Sequence, residues 1–367
     1  MTATLRVVLD QLTTPTDANL AMAESELARA LVETAPRGCV VSAIVPANHA
    51  DEAERLIPGL KDVAQSTLAR RELTAAWQLG VAPRLGGGLI HAASLAAPLV
   101  KHDRVHNHDQ TVVTLWDLTP WLGGEGMSKP ALMWHRAMLK RAERHADAVI
   151  VPTHTMAEQL RELSRLGSRV RVISGAAPEG FAVPTDAVGR RRTLELPEEH
   201  ILVAPGSPAE LRTAFAAVVD AGIELPVVVL DQAEGREPAV VDIAVSAGLV
   251  ASRVHVRSML DVADRAAALA SARAMVAPSS ASAFPWRVLE ALRLGVPVVA
   301  AASEVHKEVL FDGGLVAEDE NAFGESLAQV MGSDASHRRF AVMAADRGRG
   351  FSWRVAAESV WALHAEL

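Results

Sequence analysis

The residues with the most chemistry to offer lie in a small-residue loop, Pro278-Ser279-Ser280-Ala281-Ser282-Ala283, set between two apolar runs. Residues 274–277 before it and 296–300 after it have strand length, and Val288, Leu289, Leu292 and Leu294 fall near helical spacing. Gly295 stands where that helix would stop. Strand, loop, helix, glycine, strand is one βαβ unit of a parallel sheet. Its loop would lie at the carboxyl end of a strand and the amino end of a helix. There, free backbone N–H groups and the helix dipole favour an anion such as a phosphate.

Other polar groups have plainer readings. Ser207, Pro208 and Glu210 spell a helix start: a serine N-cap, proline at the first helical position, glutamate three after the cap. The run from His102 to Asp109 holds three histidines and two aspartates. The stretch is mostly polar, so a solvated loop is expected and no metal. Gly86, Gly87 and Gly88 read as a flexible turn. Thr16, Asp17 and Asn19, in the polar loop that begins at Thr13, read as a capped turn. A lone Trp116 suits stacking on a sugar face or packing in a core.

The elements that must position these groups alternate along the whole chain. Strands are expected at residues 5–10, 39–46, 89–92, 146–153, 170–173, 200–204, 225–231 and 254–256. Helices are expected at about 21–32, 50–56, 68–78, 134–145, 156–163, from 208, at 239–247, 264–270, 321–331 and from 351 to the end. Residues 184–192 read as a linker. This is an α/β chain of two doubly wound domains.

Composition narrows the classes. The chain has 367 residues, 50% hydrophobic and 22% charged, which suits two separate cores. A net charge of -8 argues against general nucleic-acid binding, although a local basic patch would still permit peripheral membrane contact. No apolar run approaches a membrane span and no signal pattern opens the chain, so a cytoplasmic protein is expected. Cys39, the single cysteine, rules out an internal disulfide and a cysteine-based metal cluster.

The loop and helix at 278–299 resemble the donor-site segment of family-four (group 1) retaining glycosyltransferases of the GT-B fold. Pro278-Ser279, Phe284, Glu290-Ala291 and Gly295-Val296-Pro297-Val298-Val299 match that segment. A second stretch, Thr111-Val112-Val113-Thr114-Leu115-Trp116-Asp117-Leu118-Thr119-Pro120, is similar to the family's first-domain motif at Asp117, Leu118 and Pro120. The resemblance implies Rossmann-like domains at 1–180 (acceptor side) and 181–350 (nucleotide-sugar donor). They would face each other across a cleft, with 351–367 crossing back onto the first domain.

It also implies roles. Asp117, Trp116 and Ser282 take catalytic positions. Gly206, Ser207, Arg212, Ser279, Ser280, Phe284, Arg287 and Glu290 take donor-binding ones, with Glu290 accepting hydrogen bonds from a ribose. Thr16, Asp17, Asn19 and His91 take the acceptor-side loop. The implied partners are a UDP- or GDP-linked sugar donor and a glycan or lipid-linked acceptor, with no further cofactor. The expected activity is retaining glycosyl transfer in cell-surface polysaccharide or glycolipid synthesis. Three positions depart from the family: its first motif glutamate falls on Ser282, its sugar-side histidine on Trp116, and its diphosphate Arg/Lys pair has no counterpart. Each lost charge-assisted contact removes roughly 1.5–3 kcal/mol. The second expectation is therefore a catalytically impaired protein that partners or stabilises an active paralogue. A GT-B epimerase is the third.

Overall fold

A computed structural model describes residues 3–12, 15–82, 85, 87–124 and 126–367. Thr13 and Thr14 of the first polar loop and Gly86 of the glycine run lie outside these. The chain divides into two compact units. The first comprises Met1–Gly175, Ser282–Phe284 and Ser352–Leu367, and the second Ala176–Ala281 and Pro285–Phe351.

The first unit opens with β1 (Ala3–Val8), α1 (Ala18–Glu33), β2 (Cys39–Val45), α2 (Ala50–Leu56), β3 (Val63–Gln65) and α3 (Arg70–Leu79). Next come β4 (Leu89–Ala92), β5 (Gln110–Thr114), α4 (Thr119–Leu122), α5 (Lys129–His145), β6 (Ala148–Val151), α6 (His154–Leu163) and β7 (Val170–Val172). All strand pairs are parallel, in the order β3-β2-β1-β4-β5-β6-β7. The order reverses between β1 and β4, the switch point where such sheets bind ligands beyond their carboxyl ends. Runs of Val, Ile and Leu make these strands because both sheet faces are covered. Leu5, Ile44, Ile90, Val112 and Val149 are fully buried.

The second unit contains α7 (Ala187–Thr193), β8 (His200–Val203), α8 (Pro208–Asp220), β9 (Val227–Val229), α9 (Glu237–Ser246) and β10 (Val254–Val256). It continues with α10 (Val262–Ala270), β11 (Ala272–Ala277), α11 (Trp286–Leu294), β12 (Val298–Ala301) and α12 (Glu304–Leu310). β13 (Leu315–Ala317), α13 (Glu320–Met331) and α14 (Asp334–Gly348) complete it. Its parallel sheet runs β10-β9-β8-β11-β12-β13 and switches between β8 and β11. Phe215 of α8 and Phe323 and Leu327 of α13 pack on Ile201, Val203, Val276 and Val299. Each such burial stabilises by roughly 1.5–3 kcal/mol.

Several elements differ from the sequence expectation, α4, α12 and β13 among them. The stretch taken as a linker forms α7, held by ion pairs from Arg190 to Asp186 at 2.9 Å and to Asp264 at 2.8 Å. The three-residue β3 is too short to leave a periodic signal. The fifteen-residue α14 buries only Phe340, Ala344 and Gly348, a face too narrow to leave a strong periodic signal. A Cβ on Gly348 would lie 2.5 Å from the Leu292 carbonyl oxygen of α11, so only glycine allows that approach.

The last helix, α15 (Trp353–Glu366), belongs to the first unit and packs against α1. Its Trp361 Nε1 donates to the Leu31 carbonyl at 3.2 Å. His364 Nδ1 and the Gln110 side-chain oxygen lie 2.9 Å apart, and Gln110 Nε2 donates to the His364 carbonyl at 3.3 Å. Burial pulls the His364 pKa down from 6.5 to about 4, against a weaker opposing pull from Asp147. Below pH 6.5 the unfolded chain therefore binds a proton that the folded one refuses. Stability is lost as pH falls towards 4, by about 3 kcal/mol for this one group. Urea unfolding of the wild type and His364→Gln across pH 4–7 should show the steeper loss in the wild type. Parallel curves would contradict it.

Candidate functional site

In the second unit the loops after β8 and β11 flank the switch point. The Glu210 carboxylate joins them. One oxygen accepts from the Ser207 N–H at 2.7 Å and the other from the Ser280 N–H at 3.0 Å. The first bond is half of the capping box expected from sequence; the Ser207 hydroxyl accepts from the Glu210 N–H at 3.3 Å. Glycine at 206 makes room, because a Cβ there would sit 3.2 Å from both Glu210 Cβ and Pro278 Cγ. These N–H groups are the ones a phosphate would use. The protein's own carboxylate already takes them.

Below the loops lies a buried charge network. Glu290, 1% exposed on α11, accepts from Arg265 Nη2 at 2.8 Å and Nε at 3.2 Å, and from Arg287 Nη1 at 3.1 Å. Arg287 Nε donates to Asp231 just after β9, at 2.6 Å. Burial pulls the Arg287 pKa down, but Glu290 and Asp231 more than offset it, and the guanidinium stays charged. Glu290 and Arg287, two of the eight residues expected at the donor, are thus paired with each other. Glu290 lacks the exposure a ribose contact needs, and Arg287 is balanced by two carboxylates rather than free for a phosphate. Arg212 is exposed on α8. Ser279 caps its own turn, its hydroxyl accepting from the Ala281 N–H at 3.3 Å. Asp231, Arg265 and His306 were missed by sequence reasoning. Only the backbone at Asp231 carries a mark, a left-handed φ of 59°. His306 is buried, with Nδ1 3.0 Å from the Ala301 carbonyl oxygen; burial lowers its pKa, with Glu210 acting in the opposite sense.

In the first unit, Trp116, Asp117 and Ser282 do come together. Residues 282–284 form an isolated antiparallel bridge there, Asp117 opposite Ala283. The Leu118 N–H donates to the Ser282 carbonyl at 2.9 Å and the Phe284 N–H to the Trp116 carbonyl at 2.8 Å. Trp116 packs its ring 5.6 Å from Phe284 and 6.2 Å from Trp353, and its Nε1 donates to Ala93 at 2.8 Å. Asp117 is exposed, with one oxygen accepting the Thr119 N–H at 2.7 Å.

The loop after β1 is organised by residues that sequence reasoning passed over. Asp10 and Glu24 are both buried, Asp10 holding Arg70 Nε at 3.0 Å and Gln11 Nε2 at 2.8 Å. Gln11 passes the order on, its side-chain oxygen accepting from the Thr16 N–H at 2.9 Å. Burial raises both carboxyl pKa values, and the Asp10 charge raises that of Glu24 further. Asp17 caps α1 through the N–H groups of Asn19 and Leu20. His91 lies in the interior of the unit at 1% exposure, its ring 5.7 Å from His364, and neither ring nitrogen has a hydrogen-bond partner. Burial holds it neutral. In the polar cluster, His102 pairs with Asp147 and His106 with Asp103, both at 2.9 Å. Among the described residues no three metal-ligating side chains converge.

Residues 223–333 match the family model described as glycosyl transferases group 1. Sucrose-phosphate synthase from Thermosynechococcus elongatus superposes with TM-score 0.69 at 18% identity, over 99% of this chain and 98% of that one. Anabaena Alr3699/HepE in complex with UDP and glucose gives 0.70 at 16% identity, over the full length of both. WaaG, a glycosyltransferase involved in lipopolysaccharide biosynthesis, gives 0.62 at 14%, over 97% and 98%. No curated protein sequence matches. The second unit carries a stretch similar to the group 1 glycosyltransferase model, and the whole chain has the GT-B fold of these structures.

Removing the Glu210 carboxylate should free the two N–H groups and relieve its repulsion of a phosphate. Glu210→Ala is expected to bind UDP or GDP about tenfold more tightly than wild type, the value of one charge-assisted contact. Weaker binding by this variant would mean that Glu210 helps the ligand instead.

Proposed function

We propose that this protein transfers a sugar, with retention, from a UDP- or GDP-linked donor to a glycan or lipid-linked acceptor. Cell-surface polysaccharide or glycolipid synthesis is the setting this chemistry suits. The observation that carries the reading is the group 1 segment built over the switch point of the second unit. There two loops aim backbone N–H groups at one spot. HepE, similar over the full length, is described in complex with UDP and glucose, which supports a nucleotide-sugar donor here. The donor loop would bind the diphosphate through N–H groups and helix dipoles in place of an Arg/Lys pair. Retaining transfer by help from the leaving phosphate asks for no dedicated nucleophile and no further cofactor.

Glu210 favours a second reading. A carboxylate seated where the diphosphate would bind suits a catalytically impaired protein that partners an active glycosyltransferase. Calorimetric titration with UDP, GDP and their sugar conjugates separates the two. Micromolar binding of one nucleotide is expected for the transferase and identifies the donor base. Absence of heat at millimolar nucleotide, in wild type and Glu210→Ala alike, would sink it in favour of the partner protein.

A further inference from the structure

The first unit carries a second polar recess, of about 450 Å³, at the edge of the sheet opposite its ligand loops. It is built at the amino ends of β5, β6 and β7, while Trp116 and Asp117 follow the carboxyl end of β5. β5 is five residues long, so the two places are about 15 Å apart. Lys101, Arg104, Arg144, Arg169 and Arg171 line the recess. In a chain of net charge -8 such a concentration of cations is not a compositional accident.

The acidic groups nearby are already engaged. Asp147 is held by His102 at 2.9 Å and by the Thr111 N–H at 2.7 Å, and Glu366 pairs with Arg171 at 3.0 Å. The carboxyl end of α5 points here, and its free carbonyls would repel an anion. Arg169 removes that objection by donating to the Glu143 and Ala146 carbonyls, each at 2.7 Å. Arg104 bonds the Leu367 backbone oxygen at 2.8 Å. Lys101 and Arg144 have no hydrogen-bond or ion-pair partner among the described residues. His145, which also lines the recess, has its pKa lowered by burial first and then by the charges of Arg141, His102 and Arg144.

We propose that this recess is a binding site for a phosphate-bearing anion, distinct from the donor loops. Its volume lies in the range of small-molecule sites. The anchored arginines fix positive charge around the recess, and the two unpaired cations supply free donors and uncompensated charge for phosphate oxygens. Free phosphates and lipid headgroups share this chemistry.

The test uses the full chain and the double variant Lys101→Glu/Arg144→Glu. Both side chains are exposed and unpaired, so the variant's melting temperature should fall by no more than about 2–4 °C, the cost of a carboxylate in the last turn of α5. Inorganic pyrophosphate is titrated by calorimetry while the His145 ring is followed by NMR. Expected is saturable binding that raises the His145 pKa, with affinity at least tenfold lower in the double variant. A parallel arm sediments both proteins with phosphatidylglycerol or phosphatidylcholine vesicles. Co-sedimentation with phosphatidylglycerol alone, lost in the double variant and without pyrophosphate binding, would assign the phosphate to a lipid headgroup. Binding of neither probe, or binding that the double variant leaves unchanged, would overturn the proposal. UDP affinity, which reads the donor loops, serves as the separate control.

Discussion

One buried carboxylate, Glu290, sits between two guanidinium groups, and the ligand end of the second unit depends on it. Arg265 comes from α10, Arg287 from the first turn of α11, and Arg287 reaches on to Asp231 after β9. The network thus ties the carboxyl end of β9 to the amino end of the helix that follows the serine loop. Buried charges at such positions are tolerable only as a closed set; removing one partner of such a pair costs about 3–5 kcal/mol. The set has a chemical consequence. Its cations are balanced internally, so the anion-binding capacity of the switch point rests on backbone N–H groups.

Those N–H groups meet an anion supplied by the chain itself. Glu210 serves its helix as the third residue of a capping box and bridges to Ser280 with its second oxygen. Local helix chemistry and ligand chemistry compete for the same donors. The first unit shows a related economy at its own switch point, where Asp10 and Glu24 share a buried place with one arginine. Burial raises both pKa values, and the Asp10 charge raises that of Glu24 further, to well above its ordinary value. The exposed loop residues Thr16 and Asp17 are oriented from beneath by that corner and by the start of α1.

Much of the architecture was legible in the residues. Valine-rich runs, the Ser207-Pro208-Glu210 start and the Gly295 stop, with its φ of 70°, declare strands and helix ends through local chemistry. α14 and α7 were not legible, since a narrow buried face and a long-range ion pair leave little periodic pattern. The site was legible only as a set of positions. Sequence spacing put Glu290 and Arg287 three apart on a helix, but nothing in it said that Arg265 and Asp231 would enclose them. Likewise His91 reads as a polar strand end, yet the strand carries it into the interior. Partners distant in sequence decide whether a charged side chain faces a ligand or another side chain.

The most direct measurement is the change in the backbone amide resonances of Ser207 and Ser280 when UDP or GDP is added to the full-length protein. A nucleotide diphosphate that displaces the Glu210 carboxylate should move both resonances together, saturating at the affinity found by calorimetry. Saturable nucleotide binding that leaves these two amides unmoved would contradict the account, because the donor would then bind somewhere other than the switch point of the second unit.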